Sequence, residues 1–322
     1  MKTINELKPN MKSLRVFFVK SCSIFVLSTF LFASCGGSSG DKSGDKLLED
    51  SKVESEEGSK VQTPAISKEV LSDIVKSIPS PLEISFLIKD LGIRYDRNIL
   101  NSSENSKKYN TSYRQALNLG IYSTDLGYAN IYEQTQDALY YLSAVREMAE
   151  GLKIGQFFDF NTIKDLAIKS DNLDSLLLVT NTNLERINDH LQENGRADLT
   201  ILILTGGWLE ALYLTCEVAK KQPNELLRNR IGEQKLILDQ LLLLLSFYEE
   251  SPDIKTLIGE LNELQKIYDN VKITYEYEES TTEEENGILV VKDNTLSKIN
   301  FTEKDLDNIL AVTIKIRKVI VE

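Results

Sequence analysis

The chain reads as a mainly all-α protein, a multi-helix bundle with a small β-hairpin near the C-terminal end. Three observations carry that reading. Apolar residues recur at helical spacing from Ser80 onward, and residues 199–219 are apolar almost all round, as a helix at the centre of a bundle must be. Only near residue 271 does the period change to the alternation of a strand.

Ser80-Pro81-Leu82-Glu83 is a helix start, with Ser80 as cap, Pro81 at the first helical position and Glu83 at the third; Gly92 after Leu91 is its stop. Tyr109, Tyr113, Leu117 and Ile121 recur every four residues, so one face turns inward, and the pattern runs on to Gly151 with a break or bend near Gly127. Asp171 or Asn172 opens a helix through Leu191 that Asn194-Gly195 ends. In the central apolar segment Glu210 and Glu217 interrupt the run, which argues against a membrane span. Over residues 225–248, Leu227, Ile231, Gln234, Leu238, Leu241 and Leu245 alternate spacings of four and three, a seam for an antiparallel partner. Ser251-Pro252-Asp253 breaks the chain before a helix over about 254–270. Residues 271–277 (VKITYEY) and 288–291 (ILVV) are expected to pair as a hairpin spanning about 271–292, with the acidic stretch 278–287 as its tip. Thr302, with Asp305 three places on, caps a final amphipathic helix.

The N-terminal part has a different character. Lys2, Lys8, Lys12, Arg15 and Lys20 precede an apolar run over residues 21–32 that is too short to cross a bilayer stably, the pattern of a secretory signal. Leu31 to Cys35 (LFASC) resembles the lipobox of bacterial lipoproteins: Ala33 and Ser34 are the small residues before the cysteine, while the leucine stands one place further out than in the family. The resemblance implies lipidation of Cys35, with the palmitate-type acyl chains of that family, and anchorage in the cell envelope. The outer membrane is the expected address, the periplasmic face being preferred to the surface because residues 36–46 hold no compact acidic cluster. The expected organisation is a signal peptide (1–34), a disordered tether (35–63) rich in Gly, Ser and charge, and a helical domain (64–322). A tether of this length has an r.m.s. span of about 30 Å.

Charge narrows the function classes. The chain has 37 basic and 49 acidic residues; removing the five basic and one acidic residues of 1–34 leaves 32 against 48, a net charge of −16. Such a surface repels polyanions, and no basic stripe with interleaved aromatics is present, so nucleic acid is not an expected partner. Cys216 is alone once Cys22 leaves with the signal and Cys35 is acylated, and within an apolar run it reads as a small buried hydrophobe.

No cofactor, metal or catalytic residue is expected. There is no G-x-S-x-G, no Cys–His pairing and no glycine-rich phosphate loop after a strand. Glu210 and Glu217, seven residues apart on one helix face, are a formal carboxylate pair of the kind helices produce routinely. The lone histidine, His190, with Glu193 is similar to the G-x-H-x-x-E motif of imelysin-like envelope proteins, which are linked to iron, although Asn188 stands where that family has glycine. Two features invite a binding role. Gly206-Gly207 interrupts an apolar helix, implying close helix approach, a kink or room for a ligand, and Glu210 beside it needs a buried donor, for which Arg114 or Arg146 are the candidates. Tyr128, Tyr132, Gln136 and Tyr140 repeat every four residues. Together these give a candidate polar aromatic pocket of Tyr122, Asp125, Tyr132, Gln136, Glu210 and Tyr213. The expected function is non-catalytic: an envelope partner protein or scaffold contact first, a small ligand or sensory role second.

Overall fold

The computed structural model describes residues 70, 73–74, 78, 80–168, 173–276, 281–285, 288–292 and 296–322. The leader, the tether and Cys35 lie outside the described residues. The chain divides into Met1–Thr63 and Pro64–Glu322, and the architecture below is that of the second unit.

The helices are α1 (Pro81–Asp90), α2 (Ser112–Ile131), α3 (Thr135–Gly151), α4 (Phe160–Ile168), α5 (Leu173–Glu193), α6 (Ala197–Lys221), α7 (Glu225–Ser246), α8 (Pro252–Tyr268) and α9 (Glu303–Val321). Several begin where the side chains dictate. Pro81 opens α1, with Glu83 N–H donating to Ser80 O at 3.0 Å. Asn224 Oδ1 accepts from the Leu226 and Leu227 N–H groups at the start of α7. Thr302 and Asp305 form a reciprocal capping box on α9. Each cap satisfies amide donors that a helix end otherwise leaves orphaned.

The centre of the bundle is α6, which packs on α1, α2, α5, α7 and α9. It is long and apolar enough to cross a membrane, but its most apolar window is 89% buried inside the domain, so it is a core helix. Its principal partner is α2. A Cβ on Gly206 would lie 2.0 Å from Leu117 O, and one on Gly120 would lie 2.0 Å from Ile203 O, so the two backbones touch where neither carries a side chain. Thr124 Oγ1 donates across this contact to Gly207 O at 3.2 Å. Of the alternatives the glycine pair left open, close helix approach is the one observed.

Two expectations need correction. The break expected near Gly127 comes at Ile131, where the helix ends, and Glu133 takes up a left-handed conformation (φ 59°) while Gln134 N–H donates to Ala129 O. That closing turn is one usually made by glycine, and it cuts the four-residue stripe of Tyr128, Tyr132, Gln136 and Tyr140. Helix α4 had no signal strong enough to be read. The hairpin is built differently as well. Lys272–Glu276 (β1) pairs antiparallel with Leu296–Asn300 (β4), and Thr281–Glu285 (β2) pairs with Ile288–Lys292 (β3), giving two ladders nested in sequence. The acidic stretch expected at the tip therefore supplies a strand, and only the two residues 286–287 separate β2 from β3.

Candidate functional site

At the crossing of α2, α6 and α9, four charged or phenolic groups meet. Arg317, on the inward side of α9, donates from Nε to Glu210 Oε2 at 2.6 Å and from Nη2 to Glu210 Oε1 at 2.7 Å. Its guanidinium stacks 4.2 Å above the ring of Tyr213 and also donates to Ile99 O. Glu210 is fully buried. Its partner is thus neither Arg114, which lies over the Tyr109 ring and donates to Ile320 O, nor Arg146, which lies over Phe160.

Asp125 of α2 completes the cluster. Its Oδ2 accepts from Asn101 N–H at 3.1 Å, while Oδ1 has no donor. Burial pushes its carboxyl well above the ordinary 3.8; the neighbouring Glu210 charge adds to the effect, and Arg317 opposes it. A carboxyl in that setting is held as the neutral acid. The Glu210–Arg317 ion pair is thus closed on itself, with the neutral Asp125 carboxyl beside it.

The same region pins the end of the chain. Tyr109 Oη donates to Val321 O at 2.8 Å, and Asn118 Nδ2 donates to Ile320 O at 3.2 Å. Carbonyls that the C-terminal turn of α9 cannot satisfy internally are capped by side chains at and just before α2.

Of the six residues proposed as a pocket, four gather here or beside it: Asp125, Glu210, Tyr213 and Tyr122. Tyr122 is buried, donates to Ser102 O at 2.8 Å, and has its ring 6.2 Å from that of Tyr109. Tyr132 belongs to a separate stack, 4.9 Å from Tyr128 and 5.7 Å from Tyr95, and donates to Ile93 O. Gln136 is exposed. These groups surround packed side chains, and none of the six lines the cavity described next.

That cavity, of about 120 Å³, lies on the other flank of the α2–α6 crossing. Gly120, Ser123 and Gly127 of α2 line it, as do Ile203, Gly207 and Trp208 of α6. Asp125 is two residues from both Ser123 and Gly127, about 200° round the helix, and so faces away. Pro81 of α1, Val145 of α3, Ile163 of α4 and Ile187 of α5 line other sides, and the cavity is partly open to solvent. No charged side chain contributes among the described residues. Trp208 presents its ring and sends its indole N–H out to Gln234 Oε1 at 3.0 Å.

Elsewhere the chemistry is sparse. The His190 ring packs 4.6 Å from Phe157 and its Nδ1 lies 3.3 Å from Asn194 Nδ2, while Glu193 is exposed. Among the described residues no three His, Cys, Asp or Glu side chains gather in a way that would hold a metal. Cys216 is fully buried, and burial pushes its thiol up, away from the reactive thiolate.

Sequence reasoning missed Arg317 and the cavity. The signal for Arg317 was available: it is a cation on the face of α9 that also carries Thr313, Ile316 and Ile320, all buried. Comparison of the chain with family models, with curated proteins and with solved structures finds no match.

Proposed function

We propose that this is a lipid-anchored protein of the bacterial cell envelope whose helical domain binds a small ligand and catalyses nothing. The observation that carries the binding role is the cavity between α2 and α6, whose lining is apolar and whose few polar groups can orient a guest without reacting with it. The absence of catalysis is supported by the state of the acid–base groups. Glu210 and Arg317 are consumed by one another, Asp125 is held as a neutral acid, and the hydroxyls of Tyr122 and Tyr132 donate to carbonyls. Envelope anchorage rests on the lipobox-like Leu31 to Cys35 and the tether after it.

A second reading, a partner-protein or scaffold contact, is favoured by α7. Leu226, Leu236 and Leu243 on that helix are 46%, 46% and 51% exposed, and Leu236 and Leu243 share a face.

The test is to purify the protein from its native membrane, extract it with organic solvent and analyse the extract by mass spectrometry. A small molecule released in near-equimolar amount supports the ligand reading. An empty extract, with crosslinks from α7 to one envelope protein, supports the partner reading. Anchorage is tested by growth on an alkyne fatty acid: the wild type is labelled and Cys35→Ala is not.

A further inference from the structure

We infer that the α2–α6 cavity takes an uncharged, ring-sized apolar group of about six heavy atoms, bearing at most one neutral polar substituent. This rests on the ligand-binding reading above and names its chemistry. Size sets the first limit. Engineered cavities of about 150 Å³ lined by aliphatic and aromatic side chains stay dry and admit benzene; at about 120 Å³ this one is of the same scale.

Polarity sets the second limit. With no charged residue in the described lining, an ionised guest would lose its hydration and find no counter-charge. Polar partners in the lining are few. Here the Thr124 hydroxyl is already engaged by Gly120 O and Gly207 O, and the Trp208 indole N–H by Gln234. Ser123 and Asn183 are the lining side chains able to meet a single hydroxyl or carbonyl on the guest. Shape sets the third. Gly127 of α2 offers backbone without a side chain on one side and Trp208 of α6 lines another, surfaces that suit a planar group.

Trp208 is the chain's single tryptophan, lines this cavity and is 4% exposed, so a bound quencher acts on one identified fluorophore. The experiment uses the chain from residue 35 onward carrying Cys35→Ser, so that neither an acyl chain nor detergent competes. Bromobenzene, a heavy-atom quencher, is titrated against Trp208 emission, with 4-bromobenzoate as the charged comparator and benzene as a non-quenching competitor. The expected result is quenching by bromobenzene that saturates in the millimolar range, reversal by excess benzene, and no saturable effect of 4-bromobenzoate. Val145→Phe, which places a ring in the cavity, is expected to weaken the bromobenzene effect at least tenfold; should that variant misfold, the wild-type comparison of the three probes decides alone.

Quenching that rises linearly without saturation, or that is equal for the benzoate, overturns the proposal. The two readings fail separately. Saturable bromobenzene quenching with an empty native extract keeps the chemistry of the cavity and removes its physiological use. A charged molecule in the extract, with no bromobenzene effect, keeps the binding role and removes this ligand class.

Discussion

Replacing Asp125 by Asn tests the proton that the buried cluster requires. In the folded protein this carboxyl is held well above its ordinary 3.8 by burial and by the Glu210 charge, whereas in the unfolded chain it titrates normally. Between those two values the folded state keeps a proton that the unfolded state has released, so stability falls as pH rises, by up to about 1.4 kcal/mol per pH unit from this one group. Below 3.8 both states are protonated and the effect vanishes. An asparagine keeps the acceptor for Asn101 N–H but has nothing to titrate. Urea unfolding followed by Trp208 fluorescence at pH 4.5, 5.5 and 6.5 should therefore show Asp125→Asn gaining on the wild type with each step. Glu83, Asp198 and Glu260, whose carboxyls burial also raises, contribute equally to both proteins and cancel. Parallel curves, or a wild type that gains on the variant as pH rises, would refute a neutral Asp125.

Other substitutions separate the parts of the core. Arg317→Met leaves the Glu210 charge buried and unpaired and should cost about 3–5 kcal/mol, while the double variant Glu210→Met/Arg317→Met should recover most of that loss in the same unfolding assay. Gly206→Ala places a methyl group 2.0 Å from Leu117 O, so α2 and α6 must separate; a drop in melting temperature far beyond that of Gly259→Ala, where a Cβ meets nothing within 4 Å, is the expected calorimetric result. Cys216 should resist a thiol reagent in the native protein and react fully in urea, since it is 0% exposed.

How much of this was legible follows from what local sequence can encode. Caps are local, so Ser80-Pro81 and Thr302–Asp305 announced their helices, and the all-round apolar character of α6 announced its central position. Glu133 closes α2 in a conformation that glycine or asparagine normally signals, and nothing in its side chain betrays it. The hairpin was misread for the opposite reason: Asn286-Gly287, a strong two-residue turn signal, was absorbed into an acidic loop because Thr281–Glu285 lacks strand-like alternation. Glu210 demanded a partner, and its demand was correctly read. The identity of that partner, 107 residues away, is a property of tertiary packing.

The buried cluster and the cavity have one origin. Where two helices approach as closely as Gly120 and Gly206 permit, no side chain fits between them, and what lies on either flank is decided by the next residues round each helix. On one flank Asp125 and Glu210 lie near enough for each to feel the other's charge, and the cation from α9 makes that juxtaposition tolerable. On the other flank Ser123 and Gly127 carry too little bulk to fill the space as the helices diverge. The gap cannot close by collapse, because the glycine contact fixes the crossing and the ion pair fixes α9 against it. At about 24 cal/mol per Å³, a void of about 120 Å³ forgoes roughly 3 kcal/mol of packing. An apolar guest regains energy on that scale, which places the affinity of a ring-sized probe in the millimolar range; a tighter natural ligand must reach past the cavity to the rim at Ser123 and Asn183.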